Sequence, residues 1–216
     1  YAFEGFGTAR QYDYGRSGNP TRDMLSDALS KLEGGAGAVV TSSGMSAVDL
    51  LLGQLNPDDI VIAPHDCYGG TYRLLKARAA KGHFTVKFLN LADSSELRAA
   101  LGAGAALVYI ETPSNPLMRV VDIAEIALAA KAAGALTAVD NTFLSPALQT
   151  PLKLGADYVI HSTTKYLNGH SDVIGGAIIA TDHNRAQALR SWAAIVGSIG
   201  SPMDAWLTLR GLRTLF

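Results

Sequence analysis

Lys165 stands three residues after Ser162 in the stretch HSTTKYLNGHSD, among small hydroxyl side chains and straight after an apolar run. That S-x-x-K spacing suits two kinds of chemistry. The serine can act as an acyl-enzyme nucleophile beside the lysine, or the lysine amine can condense with an aldehyde cofactor whose anionic part the hydroxyls hold. The acyl-enzyme reading needs companion elements that are missing, because Ser171-Asp172-Val173 is not S-D-N and K-T-G does not occur in the chain.

Two further clusters bear on the choice. Asp140 closes LTAVD, a segment that reads as a strand buried on both faces, and a carboxylate there needs a partner. It can cap the segment that follows, or it can pair with a cationic nitrogen of a ligand. In TSSGMSAVDLL a strand ends in two serines and a glycine and a helix begins at once, so free N–H groups and the positive end of the helix dipole form an anion site. Gly44 lets the backbone approach closely. This junction is neither a Walker A loop nor a G-x-G-x-x-G fingerprint. A lysine beside hydroxyls, an anion-binding helix start and a strand-end carboxylate together fit pyridoxal phosphate (PLP). The lysine carries the aldehyde, hydroxyls and amides take the phosphate, and the carboxylate keeps the pyridine nitrogen protonated.

The elements that must position these groups are legible from apolar runs. AVVTSS, DIVIAP, FTVKFLN, ALVYIETP, LTAVDN, YVIHS and GAIIATD give seven candidate strands, and amphipathic stretches such as MSAVDLLLGQL and IAEIALAAKAAG lie between the first six. Alternation of this kind predicts an α/β fold, a mainly parallel seven-stranded sheet with helices on both faces. The loop KYLNGHSDVIGG is too short for a helical crossover, so the seventh strand is expected to run antiparallel. Helical segments follow from His183, and ligands should collect at the carboxyl ends of the parallel strands. By strand alternation Ser162 and Thr164 should point one way and Lys165 another.

With 48% hydrophobic and 17% charged residues in 216, the chain can bury a substantial core. Eighteen basic against nineteen acidic residues create no field for nucleic acid or anionic lipid, which points to small-molecule substrates. The single cysteine, Cys67, excludes an internal disulfide and a thiolate metal cluster, and no apolar run is long enough to span a bilayer. A cytoplasmic location is therefore expected. His65, His161 and His170 are scattered without metal-ligand spacing and read as structural, Cys67 reads as a small buried residue, and Trp192 and Trp206 read as core or subunit contacts. No metal is expected. Both ends of the chain look cut.

The pieces YGRSGNPTR, SSGMSA, PHDCYGGTYRL, ETPSNPL, VDNTF, HSTTKYLNGHSDV and LRGLRTL, in this order over nearly the whole chain, resemble the Cys/Met-metabolism family of PLP enzymes. That family includes cystathionine γ-synthases, cystathionine γ- and β-lyases, methionine γ-lyases and O-acylhomoserine sulfhydrylases. The resemblance implies the large domain of the aminotransferase-like fold type I, here residues 20–216 after an N-terminal arm over residues 1–19, with a smaller C-terminal domain lying outside the sequence. It implies that Lys165 carries the cofactor and moves protons at the substrate, that Asp140 holds the pyridinium nitrogen, and that Tyr68 stacks on the ring and assists acid–base steps. It further implies that the Gly44 and Met45 amides and the Ser162 and Thr164 hydroxyls bind the phosphate. Asn115 would lie near the pyridoxal O3′ and the substrate carboxylate.

Tyr14 and Arg16 would reach the phosphate of a neighbouring subunit, giving a homodimer with shared active sites that pairs into a homotetramer. An arm bearing Tyr and Arg has little reason to order on its own chain. Gly15 departs from the family's usual Tyr-Ser-Arg, which alters flexibility more than chemistry. The residues YGGTYRL and Asp13 are most similar to the γ-synthases. The expected reaction is γ-replacement on O-succinyl-L-homoserine with L-cysteine, giving L-cystathionine and succinate. The alternative is γ-elimination by a cystathionine γ-lyase, or the reaction of a related methionine γ-lyase or O-acylhomoserine sulfhydrylase.

Overall fold

All seven apolar runs become strands of one sheet in the computed structural model, which describes residues 2–216. They are β3 (Gly37–Thr41), β4 (Ile60–Pro64), β5 (Thr85–Leu89), β6 (Leu107–Glu111), β7 (Leu136–Asp140), β8 (Tyr158–His161) and β9 (Gly176–Ala180), in the spatial order β3-β9-β8-β7-β6-β4-β5. Strands β4 to β8 pair in parallel, and β9 runs antiparallel to both of its neighbours, as its short connection requires.

Helices α2 (Gly44–Leu52), α3 (Gly69–Ala80), α4 (Ser94–Gly102) and α5 (Ile123–Ala132) make the crossovers, while only α6 (Ser145–Leu148) and a 3-10 turn at Pro151–Leu154 join β7 to β8. Before the sheet comes α1 (Pro20–Glu33), and after it α7 (His183–Val196) and α8 (Pro202–Leu212). Side-chain alternation along the strands divides the core in two. Leu50 of α2, Leu75 of α3 and Leu189 of α7 pack with Tyr109, Ile160 and Ile178 on one face. On the other, Leu97 of α4 and Ile126 of α5 meet Val108 and Ile110, and Leu25 and Leu29 of α1 meet Val159 and Ile179. No helix among the described residues is long and apolar enough to cross a membrane.

The arm is ordered against its own chain, contrary to expectation. Its strands β1 (Phe3–Gly5) and β2 (Thr8–Ala9) form a small hairpin, the Ala2 N–H donates to Tyr12 O, and Arg16 donates to the carbonyl of Ala194 at the end of α7. Backbone pairing within the arm supplies the partners that composition alone did not reveal.

One close approach ties the sheet to the helix start that bears the anion site. Gly176 opens β9 opposite Thr41, and a Cβ there would lie 2.1 Å from Ser43 O and 2.6 Å from Gly44 N. Gly176→Ala therefore has to push the start of α2 away from the sheet, and we expect a loss of about 2–4 kcal/mol in urea denaturation. Gly102→Ala, at the end of α4 where nothing lies within 4 Å, should cost nothing.

Candidate active site

The carboxyl ends of β3, β4, β6, β7 and β8 surround a cavity of about 320 Å³, a size suited to a small cofactor. Lys165, Asp140, Tyr68, Gly44, Met45, Ser162, Thr164 and Asn115 all line it. Lys165 is the only cation that does so among the described residues.

Lys165 and Thr164 face the same cavity, which corrects the alternation argument. The strand ends at His161, and from Ser162 the chain turns, with the Lys165 N–H donating to Ser162 O at 3.2 Å. The period of two stops with the strand, so Ser162, Thr164 and Lys165 are free to converge. Ser162 N–H donates to Thr142 Oγ1 at 2.9 Å, which locks this turn to the end of β7. Farther along, Asn168 and Arg210 of α8 both donate to Asp172, at 2.8 and 2.6 Å, and brace the loop that follows the lysine.

At the start of α2, Ser43 caps the helix by accepting from the Ser46 N–H at 3.1 Å. The N–H groups of Gly44 and Met45 precede the first intrahelical bonds and have no acceptor among the described residues. A Cβ on Gly44 would sit 2.8 Å from Ser162 Cβ, so helix start and lysine turn close on each other only because residue 44 has no side chain. Two free amides and the Ser162 hydroxyl thus border one cradle, a donor set that fits a phosphate group. The Thr164 hydroxyl lines the cavity but also donates to Gly175 O at 3.2 Å and accepts from Gly175 N–H at 3.0 Å.

Asp140 is half-buried at the end of β7, and both of its oxygens accept hydrogen bonds, Oδ1 from Thr142 N–H at 3.0 Å and Oδ2 from the Tyr109 hydroxyl at 3.1 Å. It is therefore a local cap and a cavity carboxylate at once. Beside it in register lies Glu111, a cavity residue that the strand pattern did not single out. Glu111 accepts from the Tyr68 N–H with both oxygens, at 3.0 and 2.8 Å, and from the Asn115 N–H at 2.8 Å. Burial, and then the neighbouring charge of Asp140, push its carboxyl up from 4.5 to about 7 against the effect of those amides. The signal for it was in the sequence, since a carboxylate closing the apolar run LVYIE is the feature that drew attention to Asp140.

The remaining expected site residues, Tyr14 and Arg16, do not line this cavity; both are exposed in the arm, with the Arg16 guanidinium 5.2 Å from the Tyr14 ring centre. Cys67 is buried and its thiol is pushed up to about 12, chiefly by burial and then by Glu111, so it is no thiolate nucleophile. His65 and His170 contact the carbonyls of Leu89 and Asn168, and His161 Nε2 lies 2.6 Å from Glu33 Oε1 in the core. Among the described residues no group of three His, Cys, Asp or Glu could hold a metal ion.

Comparison with known proteins agrees in sequence and in shape. The model of the Cys/Met metabolism PLP-dependent enzyme family matches residues 1–216. A cystathionine γ-synthase of Escherichia coli K12 is 56% identical over 216 residues, all of this chain and 56% of the relative. A cystathionine β-lyase of Lactococcus lactis subsp. cremoris is 43% identical over 215 residues, covering 57% of its length. The crystal structure of cystathionine γ-synthase from Xanthomonas oryzae pv. oryzae in complex with cystathionine superposes with a TM-score of 0.98 at 59% identity, covering all of this chain and 56% of that one. The chain thus spans just over half the length of these relatives.

The raised carboxyl of Glu111 has a consequence for stability. The native state binds this proton more tightly than the unfolded chain does, so the contribution is fully present below pH 4.5 and is lost as pH rises to about 7. Cofactor-free protein should lose on the order of 2–3 kcal/mol of stability, relative to Glu111→Gln, across that window, read by urea denaturation at fixed pH steps. A constant difference between the two proteins would show that Glu111 ionises normally.

Proposed function

Because the chain belongs to the Cys/Met metabolism family of PLP-dependent enzymes, we propose that this protein catalyses γ-replacement on O-succinyl-L-homoserine with L-cysteine, giving L-cystathionine and succinate. The observation that carries the reading is the convergence of Lys165, Asp140, Tyr68 and the free amides of Gly44 and Met45 on one cavity. The synthase assignment within the family is supported by 56% identity to the Escherichia coli γ-synthase against 43% to the Lactococcus lactis β-lyase.

In this reading PLP, when bound, supplies an electron sink for charge developing at the substrate α carbon. The Gly44 and Met45 N–H groups, with the hydroxyls of Ser162 and Thr164, would hold its phosphate, and Asp140 would hold the ring N–H. Tyr68 would stack on the ring, and Asn115 would serve its O3′ and the substrate carboxylate. Lys165 would hold the cofactor through its aldehyde carbon, and the same Nζ, when free, would move protons at the substrate one at a time, taking the α proton, passing it on to the cofactor, and only then taking a β proton. Succinate would leave from the γ carbon as a carboxylate, the cysteine thiolate would form its bond there, and the lysine would return the protons. Lys165 reaches the cavity on a turn fixed to β7 and to α8, so the base keeps its place while the substrate changes.

Residues 1–19 act as an arm and 20–216 as the cofactor-binding domain, with Tyr14 and Arg16 completing the cavity of a second copy in a homodimer that pairs into tetramers. Support comes from their types and exposure, because an Arg fork and a phenol suit a phosphate and neither side chain lines the cavity of its own chain.

Product analysis after incubation with O-succinyl-L-homoserine and cysteine, then with cystathionine alone, tests the reaction. Cystathionine from the first mixture with little 2-oxobutyrate from the second is expected, and the reverse would make the enzyme a γ-lyase. Lys165→Ala should lose about 10³-fold or more in kcat while remaining folded. Arg16→Ala should also be weak alone. Refolded together, the two inactive proteins should regain about a quarter of wild-type activity, since only mixed dimers contain an intact site. No recovery on mixing would place Arg16 at the cavity of its own subunit.

A further inference from the structure

The hydrogen bond from Tyr109 to Asp140 has no part in the chemistry above. Tyr109 is fully buried in the middle of β6, two residues before Glu111 and so on the same face of the strand. The register sets Glu111 opposite Asp140 and Tyr109 opposite Ala138, which makes Tyr109 the diagonal neighbour of Asp140. A phenol in a sheet interior carries a hydroxyl that must find a partner, whereas phenylalanine would fill nearly the same volume without that demand. Here the partner is Asp140 Oδ2.

We propose that Tyr109 is a positioning residue for Asp140, its hydroxyl fixing the carboxylate in one orientation and holding the negative charge that is to face the ring nitrogen of PLP. The inference rests on the reading of the cavity as a PLP site. With Thr142 N–H on Oδ1, the Tyr109 donor leaves Asp140 one fixed geometry in which to meet a ligand cation.

The groups facing Tyr109 decide that it remains a donor. They are Asp140 on β7, Glu111 on its own strand, Cys67 in the loop after β4, and Thr71 of α3, whose buried hydroxyl faces it outside ordinary hydrogen-bond geometry. Burial, then the charges of Asp140 and Glu111, hold the phenol well above 10, so its proton stays in place wherever the enzyme is folded. Protonation of Glu111 changes the charge beside this pair but cannot replace the hydroxyl, because the Glu111 oxygens are committed to Tyr68 and Asn115.

The experiment compares wild type with Tyr109→Phe, each alone and in an Asp140→Asn background, as full-length holoenzyme. It measures PLP affinity and the pH midpoint of the bound cofactor's visible absorbance. Tyr109→Phe should keep the wild-type thermal midpoint, weaken PLP about tenfold and displace the spectral midpoint by about half a unit or more. In the Asp140→Asn background the same change should alter both readings by less than about twofold. Unchanged affinity and spectrum in Tyr109→Phe, equal losses in both backgrounds, or loss of the fold would overturn the positioning role. Wild-type protein that binds no PLP would overturn the cofactor reading and the inference with it, and that outcome is seen without any variant.

Discussion

Two carboxylates, Asp140 and Glu111, end adjacent parallel strands in register and on one face, and both line the same cavity. Like charges so placed in a half-buried site cannot both ionise without donors or a cation nearby. The structure meets this by giving them unequal surroundings. Glu111 is the more deeply buried and is pushed to about 7, so it is partly protonated near neutral pH. Asp140 keeps a backbone amide and a phenol as its donors and is the less buried of the two. Glu111 is not idle, because its oxygens draw the Tyr68 and Asn115 amides together across the ends of β4 and β6. A neighbouring tie, from the Ser114 hydroxyl to Asp66 at 2.8 Å, joins the same two loops.

The same strands serve a second purpose on their opposite faces. Asn141 and His161 follow Asp140 and Ile160 by one residue, so alternation turns them towards α1. There Glu33, fully buried at the end of α1, accepts from Asn141 Nδ2 at 2.9 Å and lies 2.6 Å from His161 Nε2. Asn141 also donates to Gln149 O at 2.8 Å, which fixes the short link between β7 and β8. A shift of either strand end would break this polar cluster in the core, where unpaired groups cost most. The far side thus keeps in register the strand ends that line the cavity.

The sheet was legible because each strand is a compact apolar run and each crossover an amphipathic one, and both periodicities survive into the structure. Asp140 and the amides at Gly44 were legible for the same reason, since a strand end and a helix start have local signatures. What escaped was cross-strand. The pairing of Glu111 with Asp140, and of Tyr109 with Asp140, depends on the register between β6 and β7, which sits about 30 residues apart in the chain and has no local mark. The direction of Lys165 was misjudged for a different reason: YVIHS carries no sign that the strand stops at His161 rather than three residues later. The order of the arm was missed because its partners are backbone groups, and those are invisible to an argument from side-chain type.

Choice of reaction within such a cavity cannot come from the base. Lys165 is its only lining cation among the described residues, and proton removal at the α and β carbons is common to replacement and elimination. In the reaction proposed above, the two outcomes would separate only after the γ substituent has left, according to whether a thiol or water completes the reaction. Beside Lys165, the exposed side chains of Tyr166 and Ile174 border a second cavity together with Phe143. A site organised around fixed strand-end carboxylates can therefore change its reaction by edits at the rim while the donors around Asp140 stay as they are.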